Sequence, residues 1–233
     1  MKKIAGFFFE KRICTRLTWK AKLLLLLLIV ALTIVFVKNI VPFLSLEKTI
    51  VSNVFVLEGY VEDWAYPFII QKINELNPDF ILTTGISLDQ GFYLNGVPST
   101  AYLVGHSLRK LGIDSARVHI VPTKPGVKVN RTYYSAIAAR KYLDQHFTGI
   151  SSVNLISTSV HARRSHLIFK KVFNDKYELG NIVVPSIYFN RSNWYKTSRG
   201  FRTVLSETLA WLYVRLFFFP NVEEDLSSSN KSL

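Results

Sequence analysis

The hydrophobic pattern separates one long apolar segment near the N-terminus from a region of shorter, alternating patterns. Residues 23–37 are apolar except for Thr33, and lysines at positions 22 and 38 flank them. Residues 40–46 continue the apolar character with a break at Pro42. Fifteen helical residues extend about 22 Å, less than the ~30 Å hydrocarbon core, but flanking lysine side chains reach outward and lengthen the usable span. The pattern predicts a transmembrane segment within residues 23–46.

The alternative for this segment is a cleaved signal peptide, whose apolar region is 7–15 residues long and ends at a small-x-small site. No such site follows Val37, because the chain continues Lys-Asn-Ile-Val-Pro. Residues 1–22 contain seven basic residues and one acidic residue. Cytoplasmic flanks of membrane helices are rich in Lys and Arg. We therefore expect an uncleaved signal anchor, with a basic cytoplasmic tail over residues 1–22 and the chain after residue 46 outside the cytoplasm.

The rest of the chain alternates short β-branched runs with amphipathic stretches. Strands are predicted over residues 53–57, 79–84, 118–121, 153–156 and 182–184. Helices are predicted over residues 63–76, 99–111, 131–145, 161–173 and 200–219. This alternation is typical of an α/β domain with a parallel sheet and helices on both faces, here over residues 47–220. Residues 221–233 are acidic and then serine-rich, which predicts a disordered tail.

The net charge of +13 is unevenly distributed, since about half of the excess lies in residues 1–22. That distribution indicates membrane topology and argues against a nucleic-acid-binding face. The remainder is mildly basic, which favours anionic ligands or anionic lipid surfaces as partners. The single cysteine, Cys14, excludes a disulfide within the chain.

Polar residues follow several of the predicted strands. Right-handed crossovers bring the carboxyl ends of parallel strands to one edge of the sheet, where such domains bind ligands. Glu58 and Gly59 follow the first predicted strand, and Thr84 and Gly85 end the second, so all four are expected at this edge. Glu58 fits a general base, a metal ligand or an ion-pair partner, and ion pairing is the commonest of these roles.

Residues 157–165 form the strongest candidate site. Ser157, Thr158 and Ser159 end a predicted strand, and the start of the next helix offers unpaired N–H groups to an anion. His161 fits anion binding or proton transfer, and Arg163 and Arg164 fit bidentate contacts to phosphate or carboxylate. The alternative is a capped helix start with two solvated arginines.

A second helix start is expected at the same edge, at residues 130–132. Asn130 or Thr132 as a helix cap is favoured over a catalytic role, and Arg131 adds positive charge. The sequence contains no His-Glu-x-x-His, Walker or Gly-x-Gly-x-x-Gly motif, so no metal and no cofactor is predicted. The aromatic and basic residues 194–202 fit surface packing, closure over a ligand or contact with headgroups.

Several of these motifs resemble the SanA/ElyC/YdcF-like family of bacterial cell-envelope proteins. The resemblance covers about residues 53–215 and includes Glu58-Gly59, Thr83-Thr84-Gly85 and a glutamate at position 207. Its longest motifs are Asn130-Arg131-Thr132-Tyr133-Tyr134-Ser135-Ala136 and Thr158-Ser159-Val160-His161-Ala162-Arg163-Arg164-Ser165. It implies a Rossmann-like domain behind a membrane anchor in the bacterial inner membrane, with the domain in the periplasm or outside. It does not imply a particular reaction.

These features lead to two main hypotheses about function. In the first, the outer domain binds, and possibly processes, an anionic small molecule or lipid-linked precursor of the cell envelope, with Glu58 and His161 moving protons. In the second, it is a non-enzymatic scaffold that recruits an envelope protein partner. A membrane glycosyltransferase ranks last, because the chain has no Asp-x-Asp metal motif.

Overall fold

The computed structural model describes residues 17–88 and 96–228. The chain divides into two units, one ending at Lys38 and the other starting at Asn39. Helix α1 covers Trp19–Leu44. Within the described ranges it is the one helix long and apolar enough to cross a membrane, which confirms the predicted membrane-length segment. Its leucines are exposed on all sides, for example Leu24 at 69% and Leu27 at 57%, as in helices that face lipid.

The remaining helices and strands follow the predicted alternation. The strands are β1 (Val54–Glu58), β2 (Phe80–Gly85), β3 (Val118–Pro122), β4 (Ser152–Thr158) and β5 (Glu178–Val184). The helices are α2 (Tyr66–Leu76), α3 (Thr100–Lys110), α4 (Arg131–His146), α5 (Ala162–Phe173), α6 (Ser198–Leu216) and α7 (Val222–Ser228). Short 3₁₀ turns precede α2, β3, α5 and α6 at Asp63–Ala65, Ser115–Arg117, Ser159–His161 and Trp194–Lys196.

The five strands form a parallel sheet in the order β3-β2-β1-β4-β5. The chain moves outward from β1 to β3 and then returns to the other side of β1 with β4. The strand order therefore switches between β1 and β4, which is where open α/β sheets bind ligands. This architecture confirms the α/β, Rossmann-like fold with a parallel sheet.

Two apolar layers cover the two faces of this sheet. On one face, Val56, Leu82 and Leu155 pack against α4 and α5. On the other, Phe55, Leu57 and Ile81 pack against α2 and α3. Successive residues of β1 thus alternate between the two layers, as the period-two geometry of a strand requires. All five residues of β1 are buried, because helices cover both faces of the sheet.

Several boundaries differ from those predicted. The helix expected over 63–76 begins as a 3₁₀ turn, because Pro67 occupies the first turn of α2. Residues 89–95, between the strand predicted over 79–84 and the helix predicted over 99–111, lie outside the described ranges.

Residues 222–228 form helix α7, where the sequence predicts disorder. Two side-chain contacts hold this helix: Tyr133 donates to Asp225 at 2.6 Å, and Arg140 donates to Glu223 at 3.3 Å. Val222 and Leu226 also pack on the core. The composition of a short stretch of sequence cannot predict such long-range contacts. Residues 229–233 lie outside the described ranges.

Gly59 and Gly85 allow α3 to approach the ends of β1 and β2. A Cβ at Gly59 would lie 2.4 Å from Thr100 Oγ1 and 2.5 Å from the Thr84 carbonyl oxygen. A Cβ at Gly85 would lie 2.1 Å from Thr100 Oγ1 and 2.8 Å from the Ala101 nitrogen. Each glycine is therefore required by backbone packing.

We expect Gly59→Ala to lower the free energy of unfolding by about 1–3 kcal/mol, because the added methyl overpacks the joint between β1, β2 and α3. Urea unfolding of the purified protein measures this. Thr100→Ala, introduced together with Gly59→Ala, should restore only part of the loss, since the Thr84 carbonyl still collides with the new Cβ. Full restoration would show that only the threonine side chain opposes a Cβ here.

Candidate functional site

A cavity of about 590 Å³ lies at the carboxyl edge of the sheet, within the larger unit. Residues that follow β1, β4 and β5 line it, together with the start of α4 and one side of α6. The cavity thus occupies the edge at which the strand order switches. Its size is in the range of small-molecule sites in proteins.

Glu58 is a buried carboxylate behind this cavity. It ends β1, and only 7% of its surface is exposed. Its two oxygens accept hydrogen bonds from Ser157 at 2.6 Å and Ser165 at 3.0 Å. Ser157 lies near the end of the neighbouring strand β4 and Ser165 in the first turn of α5. The carboxylate therefore joins three elements beneath the cavity.

His161 lies between Glu58 and a second carboxylate, Glu207 of α6. Its Nε2 is 3.6 Å from Glu58 Oε1, and its Nδ1 is 3.2 Å from Glu207 Oε1. Glu207 also accepts from Arg164, whose Nε lies 2.7 Å from Oε2 and whose Nη2 lies 3.1 Å from Oε1. We call Glu58, His161, Arg164 and Glu207 the charge cluster.

The charge cluster favours ionised side chains. Burial alone would lower the pKa of His161, but the charge of Glu58 and the hydrogen bonds of both carboxylates raise it to about 9. Burial alone would raise the pKa of Glu207, yet hydrogen bonds from His161 and Arg164 and their charges lower it to about 2. The pKa of Glu58 is lowered against the effect of its burial, chiefly by the His161 charge. At neutral pH two carboxylates and two cations therefore balance.

Basic residues form a second wall of the cavity. Arg131, the first residue of α4, donates to the Tyr60 hydroxyl at 3.0 Å, and its guanidinium lies 5.8 Å from that ring centre. Lys128 lines the same wall. Asn130 precedes the helix in the left-handed region, with φ 52°, and lines the cavity without a side-chain capping bond.

Ser159 also lines the cavity in a left-handed conformation, with φ 44°. This conformation is rare for serine and costs of order 1–3 kcal/mol, and such residues concentrate at functional sites. It lies between the end of β4 and the start of α5, so the strain is located where the chain turns sharply beside His161.

An ion pair and aromatic rings form the outer rim of the cavity. Arg199 donates to Glu62 at 3.0 Å, and its guanidinium lies 3.3 Å from the ring centre of Tyr188. Trp64 also donates to Glu62 and packs edge-on against Tyr188. These contacts bring residues after β1 together with residues after β5.

The remaining wall is apolar and extends along α6. Its side chains come from α5, α6 and the segments beside them: Val160, Ile168, Phe189, Ala210, Val214 and Phe218. The cavity therefore has a charged end and an apolar end. This combination can accommodate an amphiphile better than a fully polar metabolite.

Most of the predicted site residues converge here. Those lining the cavity are Asn130, Arg131, Thr132, Thr158, Ser159, His161 and Arg164. Glu58, Ser157 and Ser165 form the layer behind them.

Four predicted site residues lie outside both the cavity lining and the layer behind it. Gly59, Thr84 and Gly85 lie in the packed joint with α3. The guanidinium of Arg163 donates to the backbone carbonyl of Phe43 and lies 4.0 Å from that ring centre. Consecutive residues of α5 are rotated by about 100°, so Arg163 and Arg164 point to different surroundings.

No site role was predicted for Tyr60, Glu62 or Glu207, although a glutamate at position 207 is part of the family resemblance. Arg199 was predicted only as one of residues 194–202, for which closure over a ligand was one of three interpretations. Glu207 lies 46 residues from His161 in the chain. Its only local signal is that it is the single carboxylate of α6. The other three lie just outside predicted elements, where sequence patterns give no direction to a side chain.

Comparisons with known proteins do not assign the chain to a family. No family model matches it, and no curated protein and no solved structure matches it at a significant level. Among residues 17–88 and 96–228, no group of three or more His, Cys, Asp or Glu side chains is placed to hold a metal ion.

The charge cluster should make stability depend on pH in two directions. Because the pKa of His161 is raised to about 9, its protonated form contributes to the free energy of unfolding. This contribution is fully present below about pH 6.5 and is lost as the pH rises through about 9. Because the pKa of Glu207 is lowered to about 2, its ionised form also contributes to the free energy of unfolding. This contribution is fully present above pH 4.5, the ordinary pKa of a glutamate, and is lost as the pH falls toward about 2. We expect unfolding temperatures measured from pH 5 to 10 to decline above pH 6.5.

His161→Gln should flatten that alkaline decline, whereas His106→Gln, outside the charge cluster, should leave it unchanged. An alkaline decline of equal size in His161→Gln would show that the cluster is not its source.

Removing the charge of Glu207 from the charge cluster should lower the free energy of unfolding. Glu207→Gln leaves the charges of Arg164 and His161 without their shared carboxylate, and loss of one partner of a buried pair typically costs about 3–5 kcal/mol. We expect urea unfolding to show a loss at or below the lower end of this range, because Glu207 is 16% exposed. Glu224→Gln in α7, which is outside the charge cluster and accepts a hydrogen bond from Asn221, serves as the charge-matched control. Equal losses in the two variants would contradict the assignment.

Proposed function

We propose that the larger unit binds an anionic amphiphile, a phosphorylated or lipid-linked metabolite of the cell envelope. One observation carries this proposal: a cavity at the strand-order switch has a cationic wall beside an apolar wall. The ligand's charged group would lie between His161, Arg164 and Arg131. Its hydrocarbon part would lie along the apolar side of α6.

The charges of the cavity lining support an anion. Four permanent cations line it, Lys128, Arg131, Arg164 and Arg199, against the two carboxylates Glu62 and Glu207. His161, protonated at neutral pH, adds a positive charge that the buried Glu58 behind it offsets, so the excess positive charge comes from the other cations. Guanidinium groups bind phosphate and carboxylate through paired hydrogen bonds, which suits an anionic headgroup.

The charge cluster also limits the chemistry that a bound ligand could undergo. In its protonated form, which the raised pKa favours, His161 would act as a general acid toward a leaving oxygen. Glu58, 3.6 Å from Nε2, would stabilise the proton on the ring. In the proposed function Glu58 thus supports proton transfer by His161 from behind and does not contact the ligand.

The cellular setting belongs to the same proposal. We infer that α1 anchors the chain in the bacterial inner membrane, with the basic tail in the cytoplasm and the larger unit on the outer side. The distribution of basic residues supports this orientation. The motifs around Asn130 and His161 support membership of the SanA/ElyC/YdcF-like family.

A scaffold without catalysis is the second candidate. Exposed apolar side chains repeat at helical spacing along α6, at Leu209, Leu212, Tyr213 and Leu216. Contiguous exposed apolar surface marks sites of protein or membrane contact. In this reading α6 would bind an envelope protein.

We expect the full chain in detergent to bind farnesyl phosphate more tightly than farnesol, because only the former offers a charge to the cationic wall. Arg164→Gln and Arg131→Gln should each weaken farnesyl phosphate binding about tenfold, equivalent to ~1.4 kcal/mol. Isothermal titration calorimetry measures both comparisons, and circular dichroism checks that each variant is folded.

Arg163→Gln is the matched control, because this neighbouring arginine contacts Phe43 and does not line the cavity. Equal weakening by Arg163→Gln, or equal binding of farnesol, would contradict the proposed anion site. Absence of binding, together with recovery of a stoichiometric envelope protein by crosslinking in cells, would favour the scaffold.

A further inference from the structure

Residues 185–202, between β5 and the second turn of α6, have an unusual composition. They include four cations, Arg191, Lys196, Arg199 and Arg202, and no aspartate or glutamate. They also include five aromatic residues, Tyr188, Phe189, Trp194, Tyr195 and Phe201. We call residues 185–202 the aromatic-basic segment. The proposed function uses only its inner side, where Tyr188, Phe189 and Arg199 line the cavity.

A buried tryptophan holds this segment in shape. Trp194 is 2% exposed, stacks on Phe201 with ring centres 6.2 Å apart, and meets Tyr195 edge-on at 5.8 Å. Thr197 caps α6 by accepting a hydrogen bond from the Gly200 nitrogen at 3.1 Å. These contacts leave the outer side chains of Ile187 (63%), Tyr195 (47%) and Phe201 (47%) exposed.

The segment lies beside the residue that follows the smaller unit in the chain. Arg191 Nη2 donates to Asn39 Oδ1 at 3.4 Å. Asn39 is the first residue of the larger unit and directly follows Lys38, which flanks the apolar run of residues 23–37. Four residues after Asn39, the ring of Phe43 packs edge-on against Trp211 of α6, with ring centres 4.9 Å apart. If α1 crosses a membrane, covalent continuity brings the segment close to the bilayer surface.

We propose that the outer side of the aromatic-basic segment rests on the headgroup region of that bilayer and contacts anionic lipids. Tyrosine and tryptophan rings concentrate at this depth, and each nearby Lys or Arg is attracted to anionic lipid. The exposed cations Arg191, Lys196 and Arg202 match a negative surface, whereas Arg199 is paired with Glu62. This inference rests on α1 crossing a membrane and is independent of whether the cavity binds a ligand.

The arrangement has a consequence for access to the cavity. Tyr188, Phe189 and Arg199 belong both to the segment and to the cavity lining. Contact of the segment with headgroups would place this side of the cavity at the lipid surface. An amphiphile would then reach the cavity without passing through bulk water.

The test uses the full chain in vesicles, with Cys14→Ser and a single cysteine at Ile187 or Tyr195 carrying an environment-sensitive fluorophore. We expect quenching by a nitroxide attached to the lipid and protection from aqueous iodide. Leu76→Cys and Leu111→Cys are the controls. They have similar exposure, 41% and 51%, but lie at the ends of α2 and α3, at the opposite edge of the sheet. Both controls should be quenched by iodide alone.

Charge dependence identifies the lipid. Lipid quenching at Tyr195 should fall about twofold or more when phosphatidylglycerol is replaced by phosphatidylcholine, and likewise with Lys196→Glu and Arg202→Glu in anionic vesicles. Lys110→Glu, in α3, should have no effect. Iodide quenching at Ile187 and Tyr195 equal to that of the controls would overturn the proposal. Protection from both quenchers would also overturn it, because it would indicate a protein interface.

Discussion

Glu58 is a carboxylate in the interior of an α/β domain, and the structure around the cavity follows from the need to stabilise its charge. An unpaired buried carboxylate is very costly, whereas a paired and hydrogen-bonded one is tolerated. Ser157 and Ser165 donate to its oxygens, and His161 supplies the opposing charge. Glu207 and Arg164 extend the pairing to α6. One buried charge and its partners thus link β1, β4, α5 and α6.

The cations of the site differ in how fully their charges are offset by carboxylates. Within the charge cluster, two carboxylates offset His161 and Arg164, so these two cations carry little excess charge. The excess positive charge of the lining lies on the opposite wall, at Lys128 and Arg131, since Arg199 at the rim is paired with Glu62. We infer that these outer residues attract an anion and that the cluster orients it. Preorganised charges of this kind lower the entropy lost on binding.

Helix α6 connects the two proposals about this protein. One side carries Glu207, Ala210 and Val214 toward the cavity, and another exposes Leu209 and Leu216. Its first turns belong to the aromatic-basic segment, beside the residue that follows Lys38. Ligand binding in the cavity and contact with lipid would therefore act on the same helix.

The sequence by itself determined the membrane-length helix, the alternation of strands and helices, and the edge of the sheet at which polar residues gather. These features depend on residue periodicity over short windows, which local sequence records. Only the tertiary structure decided that Arg164 enters the cavity while Arg163 contacts Phe43, that Gly59 and Gly85 serve packing, and that α7 is ordered. It also paired His161 with Glu207, 46 residues away. Such contacts depend on helix rotation and on the packing of distant elements, and no short window of sequence contains that information.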